Sequence, residues 1–178
     1  QERGVENKDT VYPNQLKSKY ITSEIRSVSD KYFGISMINS VKYTFKSRLI
    51  TVDAPLFKNS INIFLLMRLL GIKTDKSLVS LIVLDIDNKE TQEIMKMTEK
   101  TLLEYISICQ QHKLTDDDTI IDYVIKYFLI KPYNKEKTLS QEEKEVLLRE
   151  GLVNKLLPSY GSDYLGMAFY LGMMVNKM

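Results

Sequence analysis

The chain has no tryptophan, one cysteine, one histidine, four prolines and seven glycines in 178 residues. Each scarcity excludes something. Cys109 has no intrachain partner, so the disulfide framework of a small secreted domain is impossible and a reducing compartment is the expected setting. So little Gly and Pro, beside 44% apolar and 27% charged residues, excludes collagen-like, low-complexity and disordered chains. Long apolar runs are missing too. The longest, Ile61 to Leu70, is broken by Asn62 and Arg68 and falls far short of the ~20 residues that span a bilayer. Gln1 to Thr10 is polar and charged where a secretory leader would be apolar. The first residue is Gln and not Met, which points to a piece of a longer polypeptide, or to a processed or trimmed one. A single domain of this length buries roughly 70% of the surface its unfolded chain exposes, enough to need no metal or disulfide staple.

Net charge is +2, too small to announce a nucleic-acid binder, but it is unevenly spread. Residues 1–72 carry 11 basic and 6 acidic side chains, a balance of +5, whereas residues 73–178 carry 14 and 17, a balance of −3. That asymmetry points to one basic face, against the plainer alternative of two solvated surfaces.

The expected fold class is α+β: an N-terminal antiparallel β meander packed with a C-terminal bundle of about six helices, all in one domain (1–58 β-rich, 59–178 helical). Tyr20 to Ser27, Gly34 to Phe45 and Arg48 to Val52 alternate apolar with polar residues and are rich in Ile, Val, Thr and Tyr, the composition of strands. Pro55 stops the third. From Ser60 the period becomes helical: Ser60 to Leu70 is apolar almost all round and closes at Gly71, which predicts a buried helix at the centre of the core. Thr74 is placed to cap a helix over Asp75 to Leu84, and Asn88 one over Lys89 to about Gln110. Asp116, Asp117 and Asp118 suit the positive end of the next helix. Ser140 and Glu143 have the spacing of a capping box, and the last helix is expected near Ser162, with Gly166 and Gly172 permitting close approach of another backbone. Lys131 to Leu139 is the expected flexible segment.

Catalytic signatures are absent: there is no phosphate-binding Gly-rich loop, no H-E-x-x-H and no G-x-S-x-G. Cys109 and His112 make at most half a zinc site, and as a nucleophile and base they lack an orienting third group. Asp85 and Asp87 would hold Mg²⁺ only with a third carboxylate nearby, so they read as residues that stop one helix and cap the next. The most suggestive binding feature is Lys42, Lys46 and Arg48, interleaved with Tyr43 and Phe45 near a strand connection, where cations could follow a phosphate backbone. Lysines that protect a sheet edge would look the same. Arg3, Lys17, Lys19 and Arg26 would extend that face.

Several short stretches resemble one family. Gln1-Glu2-Arg3 with Asn7, the strand Glu24-Ile25-Arg26-Ser27, the helix Ile61 to Ile72 (INIFLLMRLLGI), Leu84 to Asn88, and Leu156-Leu157-Pro158 followed by Ala168 to Lys177 occur in the order found in the lobe domain of the second-largest subunit of multisubunit DNA-directed RNA polymerase, of the eukaryotic and large-DNA-virus type. The likeness covers nearly the whole chain. It departs from the family at Asn62, where Pro is common, at Leu69, where Ala is, and around Lys131 to Gln141.

The resemblance implies a non-catalytic module, with nucleotidyl transfer and its Mg²⁺, and any Zn²⁺, elsewhere in the polymerase; no cofactor is expected in this domain. It implies a wall of the DNA cleft during transcription, with DNA-contact candidates Arg3, Arg26, Lys42, Lys46 and Arg48. The implied partners are the rest of its own subunit, a small zinc-ribbon subunit, initiation factors and downstream DNA, with no membrane. Gln1 and Met178 should then lie close together. An Ile-, Lys- and Asn-rich composition favours a large DNA virus, hence host cytoplasm and virion, over a cellular source and the nucleus. The competing reading is a free-standing helical interaction module that presents Met167, Met173, Met174 and Met178 to a partner helix. A small hydrolase or transferase would need a nucleophile and base that the sequence does not offer.

Overall fold

Alternation in the first third of the chain becomes a four-stranded antiparallel sheet in the order β1-β2-β3-β4, with β1 Tyr20–Val28, β2 Ser36–Thr44, β3 Leu49–Asp53 and β4 Ile61–Asn62. The computed structural model describes residues 20–28, 34–83, 89–130 and 139–178. Arg3, Lys17, Lys19, Asp85, Asp87, Gln1 at the chain start and the segment expected to be flexible, up to residue 138, lie outside them. Register follows burial. Tyr20 pairs with Thr44 and Arg26 with Ile38, while Lys42 pairs with Thr51. That turns Ile25, Val41, Tyr43, Ile50 and Val52 inward and Arg26 and Lys42 outward.

Six helices follow, α1 Ile63–Leu69, α2 Asp75–Ile82, α3 Lys89–His112, α4 Asp117–Tyr127, α5 Gln141–Gly151 and α6 Tyr164–Asn176. The α+β expectation is met. Ile63 to Met67 are all fully buried, so α1 is the centre of the core, and Gly71 at φ 95° lets the chain leave it, with its N–H on the Arg68 carbonyl at 3.0 Å. Thr74 caps α2, Asp116 and Thr119 form a reciprocal box at α4, and Ser140 with Glu143 does the same at α5.

Three details correct the sequence reading. The helix expected from Ser60 starts at Ile63, because Ile61 and Asn62 first add a short strand beside Val52 and Thr51. Asn is a better cap than interior helical residue, and here the Asn62 Oδ1 accepts the Phe64 N–H at 2.9 Å. Arg48, placed in strand three by its sequence, stands in the preceding turn at φ 58°, outside the extended region. Finally, only one of the two glycines in α6 permits backbone approach. Gly172 lies against the Leu81 carbonyl of α2, whereas Gly166 lies under the side chain of its own cap residue, Asp163, and Tyr160.

Two closures protect the sheet and join it to the helices. Since β4 is only two residues long, the Ile50 N–H on the open side of β3 donates to the Thr101 hydroxyl of α3 at 3.0 Å. Between α5 and α6 the chain takes a π-helical turn over residues 152–156, where the Leu156 carbonyl accepts from the buried Asn39 amide of β2. Met167 and Met174 are core residues and Met173 and Met178 are half-buried, so the methionine face offered by the free-standing-module reading is largely interior.

Candidate nucleic-acid interface

The hairpin joining β2 to β3 gathers three of the five predicted contact residues. Its turn, Phe45 to Arg48, is closed by the Arg48 N–H donating to the Thr44 carbonyl at 2.7 Å. Lys46 and Arg48 are exposed at the tip, and neither has an ion-pair partner among the described residues. Holding a residue with a Cβ in the left-handed region costs on the order of 1 kcal/mol that glycine would avoid. Arg48 therefore occupies a position that backbone preference alone would give to another residue.

Lys42 differs from the other two. It sits on the outer face of β2, 2.7 Å from Asp53 Oδ2, with its ammonium 5.2 Å from the centre of the Tyr20 ring. Burial of Asp53 opposes its ionisation, but hydrogen bonds from Lys42 and Ser60 and the Lys42 charge outweigh it and hold the carboxyl below the usual range. Lys42 is thus engaged in bracing β2 to β3, and of the hairpin's three cations Lys46 and Arg48 are the two without an ion-pair partner among the described residues.

Arg26 is exposed, but its partner across the ladder is Ile38, eight residues along the chain from Lys46. At 3.3 Å per residue that is ~26 Å, so Arg26 stands at the opposite end of the sheet from the hairpin tip. Arg3 is outside the described residues.

Aromatic side chains split between core and surface. Tyr43 is buried, while Phe45, one residue past the end of β2, is 48% exposed. The rings meet edge to face, 5.4 Å between centres with planes 77° apart. A second ring cluster escaped the sequence reading: His112 lies 4.6 Å from Tyr123 and 5.7 Å from Tyr127. The i,i+4 spacing of the two tyrosines was its available signal. His112 therefore faces α4 rings and is not paired with Cys109 as a base would be. Burial pushes the Cys109 thiol up, against the opposing effects of Tyr105 and Arg68.

Among the described residues no three His, Cys, Asp or Glu side chains gather as a metal site would require, and no helix is long and apolar enough to cross a membrane. The cleft between α2 and α3, about 550 Å³, is lined by Val79, Val83, Met95 and Leu102, and the Thr98 hydroxyl on its wall is committed to the Ile94 carbonyl at 2.6 Å.

Comparison with known proteins agrees with the resemblance read from the motifs. The family model described as RNA polymerase Rpb2, domain 2, matches residues 9–178. The chain is similar to the DNA-directed RNA polymerase II subunit RPB2 of Encephalitozoon cuniculi (strain GB-M1), with 26% identity over 182 aligned positions. That alignment takes in all of this chain and 14% of the relative.

Proposed function

The chain belongs to the RNA polymerase Rpb2 domain 2 family, and from that premise we propose that it is the non-catalytic lobe of its polymerase, forming a wall of the DNA cleft and docking small subunits or initiation factors. The match over residues 9–178 carries the reading. The chain spans 14% of the length of its curated relative, and in this reading nucleotidyl transfer, with its Mg²⁺, and the structural Zn²⁺ lie in other parts of the enzyme.

Lys46 and Arg48 are the residues assigned to DNA phosphates, since both are exposed and unpaired among the described residues; Arg26 and Arg3 are secondary candidates, and Lys42 supports the hairpin. The partners proposed are the remainder of its own subunit, a zinc-ribbon subunit, initiation factors and downstream DNA. Leu165 and Phe169, 63% and 46% exposed one turn apart on α6, favour a protein neighbour on that helix. A large DNA virus is the proposed source, and host cytoplasm and virion the setting; for a cellular enzyme it is the nucleus.

The test is capture of polymerase by the tagged chain, with a Lys46→Glu/Arg48→Glu variant in parallel. Retention of other polymerase subunits by both proteins, with DNA affinity lost only in the variant, is the expected result. Retention of no polymerase subunit by either would overturn the lobe assignment and leave the free-standing module.

A further inference from the structure

The turn Phe45-Lys46-Ser47-Arg48 carries one large apolar ring and two cations into solvent at a single point. A connection needed only to reverse the chain favours Gly, Asn or Asp at positive φ and polar residues beside it. This one places Arg48 at φ 58° and Phe45 at 48% exposure. The tip contains no acidic residue, and the nearest carboxylate on the same hairpin, Asp53, is occupied by Lys42 and Ser60.

Two cations would be enough for duplex phosphates; the ring needs a separate account. Duplex DNA presents phosphates and base edges, and its base faces are stacked on one another. An unpaired strand exposes base faces, which stack on aromatic side chains regardless of sequence while basic residues follow the backbone. Tyr43 meets Phe45 edge to face at 5.4 Å from inside the fold, so the ring's orientation is set before any ligand arrives and the cost of ordering it is reduced.

We propose that the hairpin tip binds unpaired DNA, with a base stacked on Phe45 and the flanking phosphates on Lys46 and Arg48. This rests on the reading that the hairpin faces DNA, and deepens it: the strand contacted here is a separated one, as in a melted region, and not the duplex alone.

The absence of tryptophan from the chain supplies the probe. Phe45→Trp creates a single tryptophan at the proposed stacking point. Its emission should be quenched by a 15-mer of oligo-dT at low salt and left nearly unchanged by a 15-base-pair duplex. Phe45→Ala should bind oligo-dT about ten-fold more weakly, within the range measured for a lost base–aromatic stack, with duplex affinity unaltered. Phe45→Leu, which keeps an apolar contact for Tyr43, should show the same loss, and unchanged melting of all three variants separates binding from folding.

If Phe45→Ala binds oligo-dT as wild type does, while Lys46→Glu/Arg48→Glu weakens both ligands, the stacking proposal fails and the phosphate-binding reading survives. If the wild-type chain binds neither ligand at 50 mM salt, both fail.

Discussion

Asn62 makes three structural connections at once. Its backbone ends β4, its Oδ1 accepts the Phe64 N–H of α1 at 2.9 Å, and its Nδ2 donates to the Thr101 carbonyl of α3 at 3.1 Å. Thr101 is itself fully buried and receives the Ile50 N–H of β3, so one asparagine and one threonine tie sheet, central helix and long helix together. Its φ of −59° is one that proline would also adopt, but proline would make neither side-chain hydrogen bond. Asn62→Ala removes a helix cap and one of the two donors at the Thr101 carbonyl, which keeps its bond within α3, for an expected loss of about 1–2 kcal/mol. Urea unfolding followed by circular dichroism measures it, and a loss below about 0.5 kcal/mol would mean the hydrogen bonds are replaced in the variant. The role was only half legible in the sequence. Asn before an apolar run is a cap signal, but the apolar run in the sequence already begins beside Ser60, and two residues of strand cannot be told from a helical start by periodicity.

At the level of elements, the same division between local and tertiary signals explains what was readable. Caps are local: Ser140 with Glu143 and Thr74 with Ser77 close their hydrogen bonds within three residues, and both were recognisable from spacing alone. The π-helical turn over residues 152–156 was not. Leu148, Leu152 and Leu156 keep an ordinary i,i+4 spacing, and the turn's contact with β2 through Asn39 comes from 117 residues away in the chain. Lys42 belongs to the same class, since its pairing with Asp53 follows from the hairpin register and not from any motif. The crossing of α6 on α2 is the clearest tertiary constraint. A Cβ at Gly172 would collide with the Leu81 carbonyl, a backbone atom that cannot rotate aside, and the Asn176 amide donates to the Ile82 carbonyl one turn further on. Gly172→Ala should therefore destabilise the chain by about 2–3 kcal/mol despite the better helix propensity of alanine. A thermal melt that rose or stayed level would show the two helices separated at this point.

Across the whole molecule, charge distribution and exposed hairpin combine into a quantitative expectation. The first 72 residues hold a balance of +5 and the remainder −3, and the β2–β3 tip presents two cations that have no ion-pair partner among the described residues. Counterion release then fixes how binding must respond to salt. If Lys46 and Arg48 are the principal phosphate contacts, the logarithm of the association constant for oligo-dT should fall with the logarithm of salt at a slope of about −1.4, which is two contacts at ~0.7 each for a single strand. Lys46→Glu/Arg48→Glu should bring that slope to about zero and lower the affinity, whereas Phe45→Ala should lower the affinity and leave the slope where it was, because stacking releases no counterions. The two lesions thus separate on one plot, taken by titration between 25 and 200 mM salt, a working range chosen so that a slope of roughly this size changes affinity about twenty-fold. A wild-type slope steeper than about −3.5 would require five or more phosphate contacts, and the basic footprint would then have to extend well beyond the tip to residues such as Arg26 or Arg3.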